Sequence, residues 1–314
     1  MSIFAIRKPD PALLWQSLHQ ILTCLLHPLP MQMREIDNET EWEALADQVM
    51  APLPQRWIYG AATQKIGRGV LRLCVYEAGH PMALAQVVFR CLFGLHICLV
   101  TRGPLFFAAS REAEVLRLIR RALPFGVALI SPERGLGGLP LSAAPEVAEL
   151  SLAGDLAHLR AQMDQKWRNG LKKAEKSAGS VTCIRPPPAA LMQLLRAEKA
   201  RQSKGAYRAL PPEFTLALQA ASAEALRLFT CEDAQMLFVT HGNTATYQIG
   251  HTGPKGRRNN AHNLILWKAM QHLRSEGIAR LDLGTINRAK APGLARFKLR
   301  TGAQARTLAP ARLL

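Results

Sequence analysis

Acidic residues are scarce in this chain. Against 40 Lys and Arg stand only 23 Asp and Glu, a formal charge of +17 over 314 residues, with a pI near 10.2. An excess of this size favours a polyanionic partner: tRNA, a nucleotide-linked substrate or an anionic membrane face. Also missing is any metal or redox pattern. The six cysteines (24, 74, 91, 98, 183 and 231) form no C-x-x-C pair and no metal-type spacing with histidine, so no metal site is expected. Cys74, Cys91 and Cys98 sit in apolar runs, where a buried thiol is the ordinary reading, and a reducing cytoplasm is the expected compartment. Long hydrophobic runs are absent. Residues 89–100 are broken by Arg90 and His96, and residues 12–26 by Gln and His, so neither is long enough to cross a bilayer. The first residues show no small-residue cleavage site after an apolar core, and a soluble chain is expected. There is no Gly-x-Ser-x-Gly, no Ser-His-Asp arrangement and no cysteine with an orienting partner, which leaves covalent catalysis without a player.

What is present reads as globular. Hydrophobic residues make up 48% and charged residues 20%, and the length points to two domains. Residues 1–30 carry an apolar stripe, Leu14, Leu18, Ile21, Leu22 and Leu25, at helical spacing. It reads as a packing helix, an interfacial helix or a segment upstream of a start at Met31 or Met33. An acidic helix then opens at Asn38 or Thr40. Strands over 70–76, 82–90 and 95–101 form a meander, followed by a helix over 110–122 and a strand over 127–131. That order predicts an α/β domain with a mixed sheet. The Gly-, Pro- and Ala-rich stretch 133–145 is the expected boundary. Beyond it the spacing predicts one helix over 156–177, crowded with Lys166, Arg168, Lys172, Lys173 and Lys176, then helices over 189–204 and 211–223. Strands follow over 225–230, 235–241 and 244–250, the last two a hairpin. The similar order of elements in the two parts is the signature of a duplication.

Residues 244–304 concentrate the chemistry. The loop GPKGRRNN (253–260) enters a helix over 261–273, where backbone N–H groups with Lys255, Arg257 and Arg258 could hold a phosphate. Lys166 and Arg168 add to the same anion-binding expectation. Asn263 and Trp267 lie one helical turn apart and could line a cleft, although Trp267 suits a core better. The strand RLDLG (280–284) stops at a glycine, a habitual place for ligands in α/β sheets, while Asp282 suits a satisfied structural carboxylate. In GLARFKLRTG the neighbours Leu294, Phe297 and Leu299 imply partial burial of Lys298, which would suit it to steady an oxyanion.

The blocks KWRNGLKKAEKSAG (166–179), TYQIG (246–250), NNAHNLILWKAMQHLRSEGIARLDLGTIN (259–287) and GLARFKLRTGA (293–303), with QRWIYG (55–60) and RGPLF (102–106), resemble the Fem-type aminoacyltransferases. The resemblance implies an α/β protein of two GNAT-like domains with mixed sheets and no coiled-coil tRNA arm. The expected division is a 1–32 extension, domains over 33–145 and 146–305, and a 306–314 tail. It implies transfer of an amino acid from aminoacyl-tRNA, as co-substrate and without a cofactor, to an amine. The acceptor would be a peptidoglycan precursor, nucleotide- or lipid-linked, or a small peptide-like metabolite, and a peripheral contact with the inner membrane face is a further expectation. By the same resemblance Lys298 is the catalytic lysine, and Tyr247 of TYQIG is a second catalytic candidate. Lys65 contacts substrate phosphates, and Arg201 with Lys204 does likewise. Phe297, Asn263 and Trp267 complete the expected substrate site. Two alternatives stand beside this reading. One is an N-acyltransferase using acyl-coenzyme A or an acyl carrier, since 253–260 resembles a degraded pyrophosphate loop. The other is a non-catalytic basic RNA-binding module.

Overall fold

The computed structural model describes residues 30–108, 111–137, 139–203 and 210–314. The expected stripe at 1–29 and Lys204 lie outside the described residues. The first half contains β1 (Gln32–Glu35), α1 (Glu39–Gln48), α2 (Trp57–Lys65), β2 (Gly69–Glu77), β3 (His80–Leu92), β4 (Leu95–Thr101), β5 (Leu105–Phe106), α3 (Glu112–Ala122) and β6 (Gly126–Ser131). Its sheet runs β1-β2-β3-β4-β6 and then the last strand of the chain, with β5 on β3. β14 is Arg312–Leu313, so the end of the chain returns to the first sheet beside β6. Both faces of the central strands are apolar for a reason. Val75, Ala83, Ala85 and Val87 pack with Val115 and Ile119 of α3, while Cys74 and Leu84 meet Trp42 of α1 on the other side. Asn38 caps α1 as expected, its side chain accepting the Glu41 N–H at 3.0 Å.

The second half contains β7 (Glu146–Ser151), α4 (Leu156–Gln162), α5 (Gln165–Ser177), β8 (Thr182–Ile184), α6 (Pro188–Ser203), α7 (Pro212–Ala221), β9 (Leu226–Cys231), β10 (Ala234–His241) and β11 (Thr244–Thr252). After these come α8 (Pro254–Arg258), α9 (Ala261–Ser275), β12 (Arg280–Ile286), α10 (Pro292–Leu299) and β13 (Gln304–Thr307). The sheet order is β13-β7-β12-β11-β10-β9-β8. β11 and β12 run parallel, and the hairpin of β10 and β11 is antiparallel as expected. The expected single helix over 156–177 is two. Asp164 caps α5 through the Lys166 N–H, and Arg168 caps α4 by donating to the Ala161 and Met163 carbonyls at 2.7 and 2.6 Å.

α2 has no counterpart among the sequence expectations, because Trp57-Ile-Tyr-Gly60 is a poor helix opening by propensity. Tertiary packing overrides it. Leu53 and Ala62 share a core with Leu191, Leu194, Phe214 and Leu218 of the second half, and the Tyr59 and Phe214 rings stand 4.9 Å apart. The two halves are therefore joined by apolar burial, worth about 1.5–3 kcal/mol for each large side chain fully enclosed. Among the described residues no helix is long and apolar enough to cross a membrane.

Candidate active site

The two sheets treat their parallel strand pair differently. In the first, β4 and β6 stay paired from His96–Gly126 to Thr101–Ser131. In the second, β11 and β12 pair only at Thr244–Thr246 with Arg280–Asp282. Two irregularities part them: one in the β10–β11 ladder between Leu237 and Phe238, the other in the β12–β7 ladder between Asp282 and Thr285. Bulges of this kind end pairing and re-aim side chains. Gly284 supplies the second, at φ 75°, a backbone region that costs glycine little. Asp282 fastens it, its Oδ1 accepting the Gly284 N–H at 2.7 Å.

Lys298 enters beside these parted strands. On α10 its neighbour one turn earlier, Ala295, is also buried, which fixes the inward face. The Lys298 ammonium donates to the Thr285 carbonyl at 2.9 Å and lies 5.7 Å from the centre of the Tyr247 ring. Burial pulls its pKa down to about 8, with Asp282 opposing the shift. Burial moves the Tyr247 phenol the other way, up to about 12, so it stays protonated. Tyr247 also explains its neighbour: a side chain at Gly250 would begin 2.1 Å from the Tyr247 hydroxyl. Phe297 turns to a different face and packs near Trp167, ring centres 6.1 Å apart, and near His262.

Other expected residues divide. Arg201 reaches the site strand, donating to the Gly250 carbonyl at 2.6 Å and pairing with the buried Glu198. Lys65 is exposed at the last turn of α2. Asn263 faces α5, since a Cβ on Gly170 would lie 3.3 Å from its amide nitrogen. Trp267 is buried in the core with the Arg160 guanidinium 5.6 Å above its ring. These two lock α9 against α4 and α5.

The 253–260 loop holds a surprise. Residues 254–258 form the short helix α8, and the Lys255 and Gly256 amides donate to the Asp233 carboxylate at 3.0 and 2.6 Å. Gly253 and Gly256 allow this approach, for a Cβ on either would sit 2.2 or 2.8 Å from an Asp233 oxygen. Amides expected to await an anion are thus bonded to one that the chain supplies. Lys255, Arg257 and Arg258 stay exposed. Lys173 donates to the Arg258 carbonyl at 2.8 Å, joining the loop to α5 and its exposed Lys172 and Lys176. Lys166 is exposed at the start of α5, whereas Arg168 is engaged in capping α4.

The most consequential residue is one that no motif marks for chemistry. Arg102, from the first half, pairs with Asp282, with Glu133 at 2.5 Å and with Glu149 at 3.2 Å. Arg306 joins Glu133 at 2.5 Å and Glu149 at 2.7 Å. Burial works against the Arg102 charge, but Asp282 and Glu133 outweigh it and hold the guanidinium ionised. The block QRWIYG builds the platform. Gln55 donates to the Thr101 carbonyl at 2.8 Å, and a Cβ on Gly103 would begin 2.8 Å from its carboxamide. Gln86 in turn binds the Pro54 and Arg56 carbonyls, both at 2.9 Å. Buried polar groups paired so completely specify a single arrangement.

Residues 161–299 match the acetyltransferase (GNAT) domain family. No curated protein sequence matches the chain. Among solved structures, FemX is similar over 89% of this chain and 96% of its own, with 13% identity and a TM-score of 0.73. The C-terminal domain of a putative lysylphosphatidylglycerol synthetase from Agrobacterium fabrum aligns with 88% of this chain and 92% of its own, at 15% identity and a TM-score of 0.53. A tandem GNAT protein from the clavulanic acid biosynthesis pathway aligns with 90% and 98%, at 10% identity and a TM-score of 0.52. At such identities the likeness concerns fold, and the fold is the expected one: two GNAT-like α/β domains, with no coiled-coil arm among the described residues.

Proposed function

From the premise of a Fem-type pair of GNAT folds with an acyltransferase domain in the second half, we propose that the protein is an N-aminoacyltransferase. It moves an amino acid from aminoacyl-tRNA to an amine. The observation that carries the reading is the buried ammonium of Lys298 beside the parted strands β11 and β12. In the reaction the acceptor amine attacks the ester carbonyl carbon, the carbon–oxygen bond to the terminal ribose breaks, and an amide forms. The amine loses a proton, and the ribose oxygen leaves with one. Lys298 donates hydrogen bonds to the carbonyl oxygen as negative charge gathers there, an interaction stronger in the transition state than before it. One of its three N–H bonds is committed to Thr285, which leaves two for the substrate. A phosphate or carboxylate of the acceptor serves as the base.

The exposed cations of α5 and α8 support tRNA as donor carrier, because the two helices that carry them are joined by the Lys173 to Arg258 contact. The name of one structural neighbour, a lysylphosphatidylglycerol synthetase, describes an aminoacyl group attached to a lipid. That name favours a lipid acceptor, and the Fem-type resemblance of the sequence blocks favours a peptidoglycan precursor. Acyl-coenzyme A remains the second reading, favoured by the GNAT match itself, but Asp233 already holds the loop amides that would meet a pyrophosphate.

The test is product mass spectrometry after incubation with charged tRNA, or with acyl-coenzyme A, and a cell extract. A mass increment of one amino acid on an amine, with charged tRNA only, is the expected result. Transfer from coenzyme A alone, or tight RNA binding without any product, overturns it. Affinity for tRNA should fall steeply with salt as phosphate contacts release counterions.

A further inference from the structure

The two halves meet at charged groups as well as at an apolar core, and the charged contact ends at Asp282, three residues before the carbonyl that holds Lys298. Arg102 spends each arm of its guanidinium on a different carboxylate: Nε on Glu133, Nη1 on Asp282 and Nη2 on Glu149. Asp282, itself buried, divides its two oxygens between Arg102 and the Gly284 N–H. That bond shapes the turn whose next carbonyl, Thr285, receives the Lys298 ammonium. A continuous series of polar contacts therefore runs from the first half to Lys298. We propose that Arg102 is a positioning residue for the second half's active site, holding Asp282 and the 283–285 turn so that Lys298 is aimed and its charge balanced only when the halves are docked. This rests on the reading of Lys298 given above.

Charge gives the arrangement a direction. The titratable groups facing Lys298 are Asp282 on β12 and Tyr247 on β11. On its own helix Arg296 is exposed, and Arg300, just past the helix end, turns to Asp164. Asp282 attracts the ammonium, and Arg102 neutralises part of that attraction. Losing Arg102 strengthens the field that Lys298 feels from Asp282, while losing the Asp282 charge removes it. The fork also explains arginine over lysine, since an ammonium cannot span three carboxylates in fixed directions.

The experiment is a pH titration of the Lys298 side-chain 13Cε resonance in protein labelled at lysine, assigned by its loss in Lys298→Met. Without any substrate, Arg102→Gln should raise the Lys298 midpoint and Asp282→Asn should lower it, each by about 1 pH unit. Should either variant fail to fold, Arg102→Lys keeps a cation beside the carboxylates and should still move the midpoint upward by a smaller amount. An unchanged midpoint, or movement of Arg102→Gln and Asp282→Asn in the same direction, overturns the proposal. Turnover of Lys298→Met with charged tRNA decides the underlying reading separately: full activity there sinks the catalytic role of Lys298 and leaves the titration result standing.

Discussion

Lys298 is the residue where burial and reactivity meet. Its folded pKa of about 8 lies below the ordinary lysine value of 10.5, so the ammonium persists at neutral pH and is lost as pH rises through 8. Transfer should therefore fall on an alkaline limb centred near pH 8, measured as turnover against pH. Lys298→Met should lower turnover by about 100-fold or more, the usual loss on removing an oxyanion donor. Linkage gives stability the opposite behaviour. A depressed lysine pKa contributes stability that is fully present above pH 10.5 and is lost as pH falls to about 8. Denaturant melts should show wild type gaining on Lys298→Met across that window, and Lys298→Met holding the advantage below it. The sequence placed Lys298 in an apolar setting through Leu294, Phe297 and Leu299. It did not show that Phe297 faces away toward Trp167 and His262, nor that Leu294 is exposed, because the orientation of α10 is set by β12.

At the scale of elements, the 253–260 loop shows how a motif can be present and already satisfied. Gly-rich basic segments before a helix are legible in any sequence, but the carboxylate that fills this one comes from the β9–β10 turn, 22 residues upstream of Lys255. Asp233→Ala should leave two amides without their acceptor, as the loss of a capping side chain does, read as a lower denaturation midpoint. Turnover with charged tRNA should change far less than in Lys298→Met. Strands β2, β3 and β4, helix α3 and the β10–β11 hairpin were legible within a residue or two at most ends, since their periodicity and turn residues are local. The short strands β1, β7, β8, β13 and β14 were not, because two to six residues carry too little pattern and exist through their partners. The break at Met163–Asp164 escaped for a related reason: the basic run continues through it, and only the Asp164 and Arg168 caps end one helix and start the next.

In the whole molecule, the core shared by α2, α6 and α7 with β9, β10 and β11, and the return of the chain to β6 through β14, tie the halves into one cooperative unit. Calorimetry should show a single unfolding transition. Phe214→Ala should lower it as a whole, by about 3–5 kcal/mol for a fully buried aromatic, instead of splitting it in two. A second, separate transition would mean that the halves are only weakly coupled. The sequence by itself determined the class of fold, the duplicated order of elements, the strong positive charge and the lysine to suspect, because these follow from local periodicity, composition and short-range motifs. Only the tertiary structure decided which strand pair parts, that Asp233 occupies the loop amides, and that Arg102 crosses from one half to fasten Asp282 in the other. Those facts depend on groups as far as 180 residues apart in the chain, and no local pattern encodes which buried charge will find which partner once the two sheets are packed.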